Sequence, residues 1–199
     1  MGKTSSAENF EIPAECIAGV VKNEGPNFEV EVKMVPVPKI GPEDVLIKMN
    51  ATGLCMSDVH FMMSDWGMSQ MSTFGTICAG HEGSGVIVKV GDRVRNLKIG
   101  QRAGIKPLLD VCGICEQCRH GRDNYCQKGV FTGLHADGSY KQYVKSPERY
   151  TTVIPEGLDD YVAGPVMCSG STMYTALKAS GIQPGQWACF PGGGGGKLL

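Results

Sequence analysis

Short apolar runs separated by glycine and proline fill the first 110 residues and recur near residue 140. Five runs have the length and composition of β-strands; they cover residues 16–21, 28–35, 44–49, 86–90 and 140–144. The pair Asp137-Gly138, which is typical of a tight turn, precedes the last run. The pattern predicts a mainly β fold with short helices, in the form of a small barrel or twisted sheet.

Helical character appears near the end of the chain. Residues 171–180 are rich in helix formers and are followed by Gly181, a favourable C-cap. Residues 187–190 then predict one more strand, and a glycine cluster over 192–196 follows it. A dinucleotide-binding βαβ unit begins in this way, but no helix or second strand follows the cluster before Leu199. Taken alone, the cluster therefore favours a flexible glycine tail.

Composition and charge exclude several classes of partner. Nineteen Lys and Arg against 20 Asp and Glu give a formal charge of −1, so electrostatic attraction to nucleic acid or to an anionic membrane is not expected. A run of about 18 apolar residues, which a membrane-spanning helix needs, is absent, and the N-terminus is polar. We therefore expect a cytoplasmic protein with neither nucleic acid nor membrane among its partners.

Four of the nine cysteines lie within a short segment of the chain. They are Cys112, Cys115, Cys118 and Cys126. Four thiolates at this spacing can close tetrahedrally around one Zn²⁺ and leave no open coordination position, which is typical of a structural site. We therefore predict a zinc-binding lobe over residues 108–128. Free or redox-active thiols and an iron–sulfur cluster are the alternatives.

Three further metal-ligand candidates are widely separated in sequence, namely Cys55, His81 and Cys168. Each one alone is more typical of a buried core residue than of a ligand. Two thiolates and one imidazole with a vacant fourth position would instead form a catalytic zinc site, provided that the fold brings them together. The remaining cysteines, Cys16, Cys78 and Cys189, are predicted to be buried thiols.

Several motifs in a fixed order identify a family resemblance. They are CMSDVH at 55–60, Asp65-Trp66, GHEGSG at 80–85, the four-cysteine lobe, DGSY at 137–140 and the segment 163–178. With these motifs the chain resembles the N-terminal catalytic part of zinc-dependent medium-chain alcohol dehydrogenases, nearest the yeast and fungal type. The resemblance covers roughly residues 15–196.

The resemblance implies how the chain is divided. Residues 1–14 are expected to be a polar tail, and residues 15–180 a GroES-like, zinc-binding catalytic domain of the barrel type. Residues 181–199 would be a remnant of the first Rossmann strand and its glycine loop. We therefore expect the chain to be truncated at the start of the Rossmann domain, most of which is missing.

The resemblance also implies a set of metal ligands. Cys55, His81 and Cys168 would hold the catalytic zinc, with water or a substrate oxygen as fourth ligand, and Glu82 would lie close behind the metal. Asp58 would accept a hydrogen bond from His81 and so fix the orientation of the imidazole ring. Together with the four-cysteine lobe, this predicts two Zn²⁺ ions per chain.

The remaining site residues follow from the same resemblance. The Ser57 hydroxyl would pass a proton from the bound alcohol through the cofactor ribose to His60, and Trp66 would form an aromatic wall of the substrate pocket. The resemblance implies NAD(P) as cofactor and a small alcohol or carbonyl compound as substrate. The vestigial cofactor-binding residues would be Gly192, Gly193, Gly195 and Gly196; Leu198 replaces the last glycine of the family's fingerprint.

The expected function is the interconversion of an alcohol and an aldehyde or ketone. Two alternatives stay open at this stage. One is a stand-alone zinc enzyme that uses Lewis-acid chemistry without redox, such as an elimination, isomerisation or cyclisation. The other is an inactive, zinc-stabilised interaction module, and both homo- and hetero-oligomers are open.

Overall fold

The computed structural model describes residues 10–193. The nine strands of this part are β1 Glu15–Lys22, β2 Glu29–Pro36, β3 Asp44–Thr52, β4 Gly83–Val90, β5 Arg102–Gly104, β6 Leu108–Asp110, β7 Val130–Phe131, β8 Tyr143–Pro147 and β9 Thr152–Val153. The α-helices are α1 Met56–Met63, α2 Glu116–Arg119, α3 Asp160–Pro165 and α4 Ser171–Ser180. A π-helical turn, Val166–Gly170, joins α3 to α4. Short 3₁₀ turns cover Met71–Phe74, Asp123–Tyr125 and Glu148–Tyr150.

Three antiparallel sheets form the architecture. Five strands pair in the order β8-β3-β4-β5-β9, while β1 pairs with β2 and β6 pairs with β7. Alternate residues of β3 enter different core clusters: Val45 and Ile47 pack with Ile87, and Leu46 packs with Cys16 of β1. Both faces of the central sheet are therefore covered by apolar side chains, which explains why β3 has a nearly continuous apolar run.

Most of the predicted elements are found in the structure, with one shift of register. The predicted strand 140–144 is instead β8, Tyr143–Pro147. The shift occurs because Tyr140 lies beside β1, where its carbonyl oxygen accepts a hydrogen bond from Gly19 (2.7 Å). From Tyr143 onwards the chain pairs with β3. A single apolar run thus spans two sheets, which alternation of residue types does not reveal.

The helix predicted at 171–180 is confirmed with its cap. It is α4, and Gly181 follows it in the left-handed conformation with a φ of 67°. A residue with a Cβ is strained at this φ, so glycine is favoured here. No helix in the described part of the chain is both long and apolar enough to cross a membrane.

Two predictions near the C-terminus are wrong. Residues 187–190 do not form a strand; Trp187 is 99% exposed, and residues 10–193 place no neighbouring strand beside it to accept hydrogen bonds. Cys189 is exposed rather than buried, because the segment that contains it does not enter the core. The predictions for Cys16 and Cys78 are confirmed, since both thiols are buried. Residues 1–9 and 194–199 lie outside the described part, and so do Gly195 and Gly196.

A tight backbone contact supports the entrance to β4. Gly138 donates to the carbonyl oxygen of Cys78 (2.8 Å), and Ser139 donates to that of Gly80 (2.9 Å). A Cβ atom added at Gly138 would overlap the carbonyl oxygen of Gly80. The close approach needs glycine at position 138, and it fixes the backbone that immediately precedes His81.

We expect Gly138→Ala to lower the free energy of unfolding by about 3 kcal/mol, because two backbone segments must separate to admit the methyl group. Gly157→Ala is the matched control. The φ of Gly157 is 83°, which strains a residue with a Cβ, but the space around it is open, so the new methyl group meets no neighbour. The control should lose only about 1 kcal/mol. Denaturant unfolding of both variants measures the difference, and equal losses would contradict the role of the close contact.

Candidate active site and metal centres

Three separate elements bring the predicted ligands of the first site together. Cys55 caps the N-terminus of α1, His81 lies two residues before β4, and Cys168 lies in the π-helical turn before α4. The Sγ atoms of Cys55 and Cys168 are 4.0 Å apart. One ligand atom from each of these three residues and from Glu82 lies within 4.8 Å of the others. Two thiolates on one tetrahedral zinc lie about 3.8 Å apart, since each Zn–S bond is about 2.3 Å, so the cluster can hold such an ion.

The buried histidine of this cluster has one nitrogen bonded and one free. Its Nδ1 lies 2.8 Å from Oδ1 of Asp58, and both side chains are buried. The same Oδ1 accepts a hydrogen bond from the Gly80 amide (2.9 Å), and Tyr140 donates to the other carboxylate oxygen (3.2 Å). The histidine Nε2 is buried and has no hydrogen-bond partner among the described residues. An unpaired buried nitrogen is costly, and a metal ion at Nε2 would remove that cost.

The ionisation of the cluster also fits a cation. The nearby Cys168 thiol and His81 imidazole lower the pKa of Cys55, whereas contact with Cys55 and burial raise the pKa of Cys168. Burial and the charge of Cys55 raise the pKa of Glu82 to about 7. Burial lowers the pKa of His81, but the hydrogen bond with Asp58 and the proximity of Cys55 outweigh it and bring the pKa to about 9. Without a cation His81 and Cys168 therefore keep protons that a divalent ion would displace.

The four-cysteine lobe forms a second compact cluster. Its Sγ atoms are 3.5 Å apart for Cys115 and Cys118, 3.6 Å for Cys126 and Cys112, and 3.9 Å for Cys112 and Cys118. All four thiols are free, and these distances bracket the value of about 3.8 Å expected for a tetrahedral Zn–S₄ centre. The protein supplies all four ligands, so such a centre has no open position.

Little else holds this lobe together. Its apolar cluster is small, with Val111, Cys126 and Tyr150 as the buried members. Arg149 forms an ion pair with Asp110 at the base of the lobe. A metal ion would therefore replace the hydrophobic core that this segment lacks.

A cleft of about 840 Å³ opens beside the first cluster. Its lining includes Cys55, Ser57, Glu82 and Cys168. Met173, Phe190, Gly192 and Gly193 also line it. The structure thus places the predicted hydroxyl and two of the predicted cofactor-binding glycines around one cavity next to the metal-ligand cluster.

The predicted relay histidine and the predicted pocket tryptophan lie together, away from the lining of that cleft. The His60 ring stacks on Trp66 with a centroid distance of 4.5 Å and an interplanar angle of 22°. Its Nδ1 lies 2.8 Å from Oδ1 of Asp65. Trp66 is half-exposed. Asp65 belongs to one of the sequence motifs, but its contact with His60 was not predicted.

Comparison with known proteins agrees with this geometry. The family model described as the alcohol dehydrogenase GroES-like domain matches residues 41–156. The chain belongs to this family. It is 40% identical to an alcohol dehydrogenase of Schizosaccharomyces pombe over 186 residues, which are 93% of this chain and 52% of the relative. Identity to an alcohol dehydrogenase of Geobacillus stearothermophilus is 39%, over 83% of this chain and 48% of the relative. The chain spans about half the length of the curated relatives it matches.

Solved structures confirm the predicted fold class. A cinnamyl alcohol dehydrogenase of Sorghum bicolor has a TM-score of 0.74 at 26% identity, covering 86% of this chain and 50% of that protein. A structure titled as an NAD-dependent alcohol dehydrogenase has a TM-score of 0.75 at 30% identity, covering 86% of this chain and 48% of that protein. Residues 10–193 correspond to the mainly β, GroES-like catalytic part of such medium-chain dehydrogenases, and they contain no Rossmann sheet.

Proposed function

We propose that this chain provides the zinc-bearing catalytic part of an alcohol dehydrogenase, which interconverts an alcohol and an aldehyde or ketone with NAD(P). The main support is the convergence of Cys55, Cys168 and the free Nε2 of His81 beside a cleft. Zinc would be held by these three residues. Glu82, whose carboxylate is part of the same cluster, would lie behind the metal.

Each side chain has a defined task in this proposal. When bound, zinc polarises the substrate oxygen and the nicotinamide ring donates or accepts the hydride. Asp58 holds His81 with Nε2 directed at the metal position. Ser57, in the cleft wall, would take part in transferring the hydroxyl proton of the substrate, and His60, which lies outside the cleft lining, would release it to solvent. The contacts of His60 with Asp65 and Trp66 keep its ring in one orientation.

The proposal also includes a structural zinc ion, a cellular compartment and a class of substrate. Cys112, Cys115, Cys118 and Cys126 would hold a structural zinc, which gives two zinc ions per chain. All nine thiols are free, as expected for a reducing compartment, and we therefore propose the cytoplasm. Small alcohols or carbonyl compounds are the proposed substrates, in line with the names of the relatives.

The function is tested by NADH binding and turnover of the zinc-loaded chain. We expect saturable NADH binding, measured by calorimetry, and oxidation of NADH when a panel of small aldehydes and ketones is added. Tryptophan-sensitised NADH fluorescence supplies an independent readout, since Trp66 and Trp187 are both exposed. Zinc binding without any NADH binding would contradict the dehydrogenase function of this chain and would favour the non-redox zinc alternative.

Replacing Asp58 with Asn should weaken zinc binding in the cleft by about 10- to 100-fold, because the carboxylate no longer fixes the ring of His81. Competition with a chromophoric chelator measures the affinity. Asp65→Asn is the matched control, since it removes the equivalent contact from His60 instead. Equal zinc affinity in the Asp58 variant and the wild type would contradict the orienting role.

A further inference from the structure

The outer edge of β2 has free backbone groups. In β1, Gly19 donates to the carbonyl oxygen of Tyr140 (2.7 Å). On the same side, Ile17 accepts from Gln142 (3.0 Å). Odd-numbered residues of β1 therefore direct their backbone groups away from β2, and even-numbered residues bond to it. The register pairs the even-numbered residues of β1 with odd-numbered residues of β2, as in Ala18 with Lys33.

It follows that Val30, Val32 and Met34 direct their N–H and C=O groups away from β1. None of these groups has a hydrogen-bond partner within residues 10–193. Their side chains are also exposed, by 47%, 74% and 58% respectively. Ile17, which lies opposite Met34, is exposed by 47% on the same face. An open strand edge beside an apolar face is the feature through which β-sheets associate.

We propose that β2 pairs in antiparallel orientation with β2 of a second copy of this chain, centred on Val32. In this register Val32 of one copy faces Val32 of the other, and Val30 faces Met34. Each outward N–H of these residues meets an outward carbonyl oxygen of the other copy. The two β1-β2 pairs then form a continuous four-stranded sheet, and their exposed apolar side chains form one shared cluster.

The opposite face of β2 selects this register by charge. With Val32 on the two-fold axis, Glu31 of each copy lies directly opposite Lys33 of the other. Centring the pair on Val30 would instead place Glu31 opposite Glu29. Centring it on Met34 would place Lys33 opposite an apolar residue. Opposite charges in facing positions stabilise antiparallel pairs and like charges destabilise them, so the register centred on Val32 is favoured.

Sedimentation equilibrium of the zinc-loaded chain tests the proposal. We expect the mass to rise from 21.2 kDa towards twice that value as concentration increases over about two decades. Val32→Lys should remain monomeric, because two lysines would face each other on the axis. Its side chain is 74% exposed, so the fold should be unaffected. Glu31 is left unchanged because it already forms ion pairs with Lys22 and Lys33 in its own chain.

Val153→Lys is the matched control. Val153 is 45% exposed on the edge strand β9 and lines a different apolar cavity. This variant should associate as the wild type does. A wild type that stays monomeric throughout would overturn the proposal. So would a Val32→Lys variant that still dimerises, or association that Val153→Lys also abolishes.

Amide hydrogen exchange of the wild type provides a second measurement that needs no variant. The Val32 amide has no partner within its own described chain, so its exchange should slow by at least about tenfold between dilute and concentrated protein. An exchange rate that is independent of concentration would overturn the proposal even if a variant failed to fold.

Discussion

Replacing Cys115 with Ser should remove one zinc ion per chain and lower the free energy of unfolding by at least about 3 kcal/mol. The lobe between β6 and β7 has only a small apolar cluster, so its order depends on the four thiolates. Structural zinc contributes about 10–16 kcal/mol of apparent binding free energy in small zinc-dependent peptides, and losing one of four ligands forfeits much of it. Metal analysis and thermal unfolding measure the two effects.

Cys189→Ser is the matched control for this experiment. The Cys189 thiol is exposed and lies outside both clusters, so the control should retain wild-type metal content and stability. Limited proteolysis adds a local readout, since cleavage of the Cys115 variant should concentrate in the lobe. A Cys115 variant with unchanged metal content and unchanged stability would contradict the structural role of the lobe.

The lobe could be predicted from sequence because its ligands are local. All four cysteines lie within fifteen residues, and chain geometry alone keeps four thiols at that spacing near one another. The same holds for α4, whose helix formers and C-terminal Gly181 are contiguous. Strands β1 to β4 were likewise indicated by short apolar runs. In each case the sequence pattern spans about ten to fifteen residues, so the element can be predicted without knowing which distant residues pack against it.

The first cluster could not be predicted from spacing. Cys55 and Cys168 are 113 residues apart in the chain, and their thiols come to 4.0 Å because α3, which leads into the π-helical turn, packs against β3 and β4. The motifs shared with a known family provided this convergence in advance. The contact between His60 and Asp65 and the donation from Tyr140 to Asp58 were not anticipated, because both depend on side-chain orientation.

The wrong prediction of a strand over residues 187–190 has a physical cause. Apolar residues after a turn are typical of a buried strand, but a strand exists only when neighbours satisfy its backbone hydrogen bonds. In the described part of the chain no strand pairs with this segment, and Trp187 is almost fully exposed. Local composition therefore indicated a strand for which the described part of the chain provides no pairing partner.

Replacing Cys168 with Ala should remove the zinc ion from the cleft and lower NADH-dependent carbonyl reduction by at least about 10³-fold, while leaving the lobe zinc in place. Only one thiolate and one imidazole would remain beside Glu82 for the metal. The fold should persist, since the half-buried Cys168 side chain faces the cleft rather than the apolar core. Metal content should fall from two ions to one, with little change in the thermal midpoint.

Cobalt substitution makes the same test specific to the site. Thiolate-to-cobalt absorption from the cleft should disappear in Cys168→Ala and persist in Cys189→Ala, whose thiol lines the same cleft without belonging to the cluster. In Cys115→Ser the cobalt absorption from the cleft should persist. This variant should instead lose the lobe metal and a large part of its stability. The two variants therefore separate a site that holds the fold together from one that serves the reaction. Two bound metal ions in Cys168→Ala would contradict the assignment of the cleft as a metal site.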